Sequence, residues 1–129
     1  MKKFFIIEDD FAVRYLLNDM LKQMGHEVLA SVDNIASAIQ FLKASKIPDV
    51  ILLDVVLPGE PGTMIIDYIK ANHSATKIVL TTGLGEERVL KLLPDGGYDA
   101  ILQKPFKFEQ MQKAIEKLFP VPPPQTQPQ

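Results

Sequence analysis

Four consecutive apolar residues, Val50-Ile51-Leu52-Leu53, follow Ile47-Pro48-Asp49 and precede a segment rich in proline and glycine, Leu57-Pro58-Gly59-Glu60-Pro61-Gly62. A run that short and that apolar, with breakers on both sides, predicts a strand buried on both faces, as in parallel sheets. Asp54 closes the run. In open α/β sheets, ligands bind outside the carboxyl ends of the strands. An acid at that point is placed for chemistry.

The remaining chain repeats a strand-then-helix alternation. Phe4 to Ile7 is the first strand, followed by Glu8, Asp9 and Asp10. Apolar residues at Val13, Leu16, Leu17, Met20, Leu21 and Met24 then recur at helical spacing. Asp9 or Asp10 can cap that helix, and Gly25 can end it. His26 to Ala30 reads as a second strand. Asp33 or Asn34 caps a second helix with Ile35, Ala38, Ile39 and Leu42 inward. A third helix runs to about Asn72 with Ile65, Ile66 and Ile69 inward, and a fourth strand spans Lys77 to Thr81, ending at Thr82-Gly83. A weaker fourth helix from Glu86 to about Leu93 stops at Pro94-Asp95-Gly96-Gly97. The last strand, Asp99 to Leu102, leads to Lys104-Pro105-Phe106 and a fifth helix with Phe108, Met111, Ile115, Leu118 and Phe119. Such alternation predicts a doubly wound α/β fold: five parallel strands, five helices, right-handed crossovers and the flavodoxin-like order 2-1-3-4-5.

Residues 1–119 are expected to form one domain, and 120–129 a Pro/Gln-rich tail or linker. A formal net charge of -2 gives no reason to expect nucleic-acid or membrane binding. The chain has no cysteine, hence no disulfide framework or thiolate metal site, which fits a cytoplasmic location. The apolar run at the N-terminus breaks at Glu8 after four residues, too short for an export signal or membrane span. His26 and His73 lack a ligand-spaced partner and read as surface residues.

In the expected strand order, Glu8, Asp9 and Asp54 converge, with Thr82 and Lys104 arriving from the far side of Asp54. Three carboxylates that close repel one another. A hard divalent cation such as Mg²⁺, held by carboxylates and phosphate oxygens, removes the conflict. Lys104 adds a fixed positive charge. The set suits phosphoryl transfer, with an aspartate as nucleophile and a threonine hydroxyl donating to a phosphoryl oxygen. Singly, each residue has a plainer reading: a helix-capping acid cluster, a turn-forming Asp54, a turn-forming Thr82 and a solvated Lys104.

Five motifs together carry a resemblance to the receiver domain of two-component response regulators. They are Ile-Ile-Glu8-Asp9-Asp-Phe, Leu-Leu-Asp54-Val-Val-Leu-Pro58-Gly, Gly62 eight residues after Asp54, Ile-Val-Leu-Thr-Thr82-Gly83, and Lys104-Pro105-Phe106. The resemblance implies Asp54 as phospho-acceptor, Asp9 as direct Mg²⁺ ligand, Glu8 as a water-mediated one, and the Val56 backbone carbonyl completing the protein's share. It implies Thr82 as switch hydroxyl, Lys104 as phosphoryl-binding lysine and a cis Lys104-Pro105 bond. A sensor histidine kinase or phosphotransfer protein would be the donor. An effector protein or attached output domain would be the target, with homodimerisation on phosphorylation and a signal rather than a turned-over metabolite as product. The chain departs from the family at Ile101, where an aromatic is common. It also departs at Val56 and Leu84, two residues after Asp54 and Thr82, where side chains influence dephosphorylation. Apolar residues there imply a long-lived acyl phosphate. The rival class is an interaction module that works without phosphorylation. An aspartyl-nucleophile phosphatase is disfavoured because Val56 stands where a second acid is usual.

Overall fold

The computed structural model describes residues 1–44, 47–57 and 60–120. Five strands form one sheet: β1 (Lys3–Ile7), β2 (Glu27–Val32), β3 (Val50–Leu53), β4 (Lys77–Thr82) and β5 (Ala100–Gln103). Their spatial order is 2-1-3-4-5, and every pairing is parallel. Between and after them run α1 (Phe11–Gln23), α2 (Ile35–Ala44), α3 (Thr63–Asn72), α4 (Glu86–Leu92) and α5 (Phe108–Leu118). This is the expected doubly wound fold. The loop residues Pro58 and Gly59, and the proline-rich tail beyond Pro120, lie outside the described residues.

Strand alternation divides the core. Phe5, Ile7, Ile51, Leu53, Ile78 and Leu80 face α2, α3 and α4, meeting Ile35, Leu42, Ile65, Ile69 and Val89. Phe4, Ile6, Val50, Leu52, Val79 and Leu102 face α1 and α5, meeting Leu17, Leu21, Met111 and Ile115. All four β3 residues are fully buried, as a strand covered on both faces requires. Each such side chain stabilises the fold by about 1.5–3 kcal/mol relative to exposure.

Local chemistry fixes the helix ends. Asp10, not Asp9, caps α1: its Oδ1 accepts the Ala12 and Val13 N–H groups at 2.8 and 3.2 Å. That leaves the Asp9 carboxylate available. Asn34 does the same for α2, taking the Ser37 N–H at 2.8 Å. After α4, Gly96 and Gly97 take positive φ values of 68° and 92°. A Cβ on Gly97 would come within 2.8 Å of Ile66 Cγ2, so that turn requires glycine for its conformation and its packing.

Three local expectations change. Leu16 is half exposed, because α1 buries the stripe of Leu17 and Leu21 while Leu16 sits over an open groove beside Val13, Pro105 and Phe106. His73 is no plain surface residue: both ring nitrogens are shut from solvent, without a hydrogen-bond partner among the described residues. Its ring tilts against Tyr68, with centroids 5.9 Å apart. A two-residue antiparallel ladder, Val56–Leu57 with Glu60–Pro61, follows β3.

Candidate functional site

The site grows from the sheet's period of two. Ile6, Leu52 and Leu102 all point to the α1/α5 side. Two residues further along their strands, Glu8, Asp54 and Lys104 leave the carboxyl rim toward the same side. Backbone bonds hold each departure point. Glu8 N–H donates to the Val32 carbonyl at 2.9 Å, Asp54 N–H to the Ile7 carbonyl at 2.9 Å, and Lys104 N–H to the Thr82 carbonyl at 2.6 Å. The Lys104-Pro105 peptide is cis.

The side chains meet. Lys104 Nζ donates to Glu8 Oε2 at 2.7 Å and stands 3.6 Å from Asp54 Oδ2. Glu8, Asp9 and Asp54 each offer an oxygen, and these three oxygens lie within 4.8 Å of one another. Glu8 and Asp54 are buried, whereas Asp9 is exposed. The second oxygens have backbone donors: Asp10 N–H reaches Glu8 Oε1 at 3.3 Å, and Val56 N–H reaches Asp54 Oδ1 at 3.0 Å.

Both buried carboxyls hold protons more tightly than usual. For Glu8 the main cause is burial, opposed by the hydrogen bond from Lys104 and reinforced by the Asp54 charge. For Asp54 it is again burial, opposed by the Val56 N–H and by Lys104, with the Asp9 charge adding to the rise. One ammonium group thus leaves the set short of positive charge. Three hard oxygen donors in that state fit a small divalent cation.

Thr82 is fully buried, and its hydroxyl oxygen accepts the Leu84 N–H at 3.0 Å. The structure thus brings Glu8, Asp9, Asp54 and Lys104 together directly, and ties Thr82 in through its carbonyl. Val56 has an exposed side chain and pairs across the short ladder with Pro61. Proline has no N–H to donate, so this partner places no backbone donor on the Val56 carbonyl.

Sequence reasoning missed Arg14. From the first turns of α1 its Nη1 donates to the carbonyls of Glu8 at 2.8 Å and Asp9 at 3.1 Å. One side chain therefore pins the backbone of both rim acids. The signal was an arginine five residues beyond an acid pair at a strand-to-helix turn. Its meaning required knowing where the helix begins.

A doubly wound sheet carrying acids and one lysine on its carboxyl rim is the architecture of a receiver module. The family model described as the response regulator receiver domain matches residues 4–116, and the chain belongs to that family, a phosphoacceptor domain of two-component signalling. The chain is 33% identical over 114 residues to the probable C4-dicarboxylate response regulator DctR of Priestia megaterium, covering 87% of this chain and 49% of that relative. It thus spans about half of that relative's length. It is 24% identical over 120 residues to sporulation initiation phosphotransferase F of Bacillus subtilis, covering 93% of this chain and 95% of the relative. Among solved structures it matches TrrA from Thermotoga maritima, in complex with Mg(2+)-BeF, with a TM-score of 0.79 and 24% identity over 92% of this chain and 100% of that one. The receiver domain of sensor histidine kinase PA1611 from Pseudomonas aeruginosa, with a magnesium ion in its active-site cleft, matches with a TM-score of 0.80 and 22% identity over 91% and 96%. At that identity both structures speak for the fold.

Proposed function

We propose that Asp54 accepts the phosphoryl group, and that Glu8, Asp9, Asp54 and the Val56 carbonyl hold Mg²⁺ beside it. The observation that carries this reading is the clustering of three carboxylates within 4.8 Å, with Lys104 3.6 Å from Asp54. The Mg(2+)-BeF in TrrA and the magnesium in the PA1611 receiver domain support it. When bound, the cation supplies charge that offsets carboxylate repulsion and stabilises phosphoryl oxygens.

The chain's own residues do the rest. The Val56 N–H restrains Asp54 Oδ1 and leaves Oδ2, on the Lys104 side, free to attack. With a phosphohistidine donor on a sensor kinase or phosphotransfer protein, a P–O bond to Asp54 forms as the P–N bond breaks. The imidazole nitrogen leaves with its electron pair and takes up a proton. Lys104 shifts from Glu8 toward the incoming phosphoryl oxygens. The Thr82 hydroxyl releases the Leu84 N–H and donates to another phosphoryl oxygen. Leu84 and Gly85 lead directly into α4, so this exchange biases the loop and helix that report the phosphorylated state.

The product is a signal passed to an effector protein or an attached output domain, and homodimerisation on phosphorylation is one way to pass it. No helix among the described residues is long and apolar enough to cross a membrane, and membership of the receiver family supports a cytoplasmic location. Residues 1–119 are taken as the receiver unit, with 120–129 as its tail.

Acetyl phosphate with Mg²⁺, followed by intact-mass measurement, tests the reading. The wild type gains one phosphate and Asp54→Asn gains none. An unmodified wild type instead points to a module that works without phosphorylation.

A further inference from the structure

Thr81 is fully buried, and its hydroxyl has no hydrogen-bond partner among the described residues. A buried hydroxyl in that state lowers stability, and such groups in native proteins need an explanation. Valine would fill the same space without the penalty. The position therefore invites a reason for keeping the oxygen.

Strand register supplies one. Ile7 pairs with Leu53, and Leu53 with Leu80. One step further along these parallel strands, Glu8, Asp54 and Thr81 fall level with each other. Thr81 itself pairs with Leu102. Side chains on one such row project from the same face of a sheet. The face is fixed by Val79 and Leu102, both packed toward α1 and α5. Glu8, Asp54 and Lys104 leave the rim on this face too. Thr82, two residues after Leu80, belongs by alternation to the other face, and its hydroxyl oxygen already accepts the Leu84 N–H. The strand neighbour on the Asp54 row is thus Thr81.

We infer that Thr81 is a positioning residue for Asp54: its hydroxyl donates to the Asp54 carboxyl when Lys104 shifts to the incoming phosphoryl group, holding that carboxyl in line for attack. This rests on the proposed role of Asp54. In this state the hydroxyl makes no bond to the carboxylate, whose Oδ1 accepts the Val56 N–H and whose Oδ2 lies 3.6 Å from the Lys104 ammonium. With Oδ2 committed to the P–O bond, Oδ1 is the acceptor that remains for the hydroxyl. No proton is transferred, and no bond other than a hydrogen bond is made.

The test uses the full chain and the variants Thr81→Val and Thr81→Ser. Thermal unfolding without Mg²⁺ gives a midpoint for Thr81→Val equal to or above wild type, because the unpaired hydroxyl is gone. Beryllofluoride titrated in the presence of Mg²⁺ binds Thr81→Val about 3- to 10-fold more weakly, the loss of one hydrogen bond. The rate of mass gain from acetyl phosphate falls by a similar factor. Thr81→Ser restores both. A purely structural threonine would move the two forms together. Wild-type beryllofluoride affinity in Thr81→Val overturns the inference and leaves the role of Asp54 intact. A wild-type chain that neither binds beryllofluoride nor gains phosphate overturns both.

Discussion

The two ends of the sheet use the same residue type in opposite ways. At the amino end, Asp49 Oδ2 accepts the Lys3 N–H at 2.8 Å, and Asp99 Oδ2 accepts the Ile78 N–H at 2.8 Å. Each carboxylate serves a neighbouring strand's backbone, and neither belongs to a three-acid cluster among the described residues. Thr76 behaves likewise, donating its hydroxyl to the Pro48 carbonyl at 2.8 Å. At the carboxyl end, Glu8 and Asp54 are buried facing each other and share one ammonium group. An aspartate bonded to a neighbouring strand's backbone staples the fold. Carboxylates crowded against each other lower stability and create a demand for outside charge. Chemistry sits where the demand is.

The sharpest way to break this contrast is Asp54→Asn against Asp99→Ala. Asp54→Asn abolishes phosphate gain in intact mass. In metal-free buffer it also raises stability by roughly 1 kcal/mol in chemical denaturation, since a charge is removed from a crowded site. Asp99→Ala has the reverse signature: phosphate gain persists, and stability drops by about 1–2 kcal/mol because the Ile78 N–H loses its acceptor. Two stability changes of the same sign would erase the distinction between the ends.

Lys104→Ala comes next. It leaves two buried carboxylates without their cation, so the rate of acetyl-phosphate labelling falls by about 10-fold or more. Stability falls by about 1–3 kcal/mol, and added Mg²⁺ recovers a larger share of it than in wild type.

A pH series sharpens the comparison further. Glu8 and Asp54 have raised folded-state pKa values, so the folded chain binds protons that the unfolded chain has released. Stability contributed by these groups is therefore present in acid and lost as pH rises through their folded pKa values. Metal-free protein should lose stability across that window, and saturating Mg²⁺ should flatten the loss. The smallest effect belongs to the amino end. Burial, then the N-terminal charge and Lys2, lower the pKa of His26, whose Nδ1 accepts the Lys2 N–H at 3.0 Å. Its contribution is complete above the ordinary histidine pKa and fades as pH falls below it. His26→Gln, with the Lys2 N–H still able to find an acceptor, removes that fade in an acid-side unfolding series.

The contrast also marks what could be read in the sequence. The strand-end acids and Lys104 were legible because parallel strands alternate and the strand order follows from the αβ repeat. Asp49 and Asp99 could be sorted from Asp54 by position, since they stand at the amino ends of their strands and Asp54 closes its own, but the backbone N–H groups that Asp49 and Asp99 serve could not be read from the sequence. Leu16 fitted the helical stripe as well as Leu17 did, yet exposure depends on how far the helix overhangs the sheet. The Val56–Leu57 ladder carries a proline, Pro61, on its return segment and no alternation to betray it. Thr81 and Thr82 are adjacent and chemically identical, and only the register separates their faces.

Arg14 joins helix to rim through two hydrogen bonds, to the carbonyls of Glu8 and Asp9. Its neighbours Phe11 and Tyr15 lie bare on the outer surface of α1. A molecule resting on that surface would press on a lever whose short arm ends at the acid carbonyls. Any tilt of α1 would therefore carry the carbonyls of both rim acids with it.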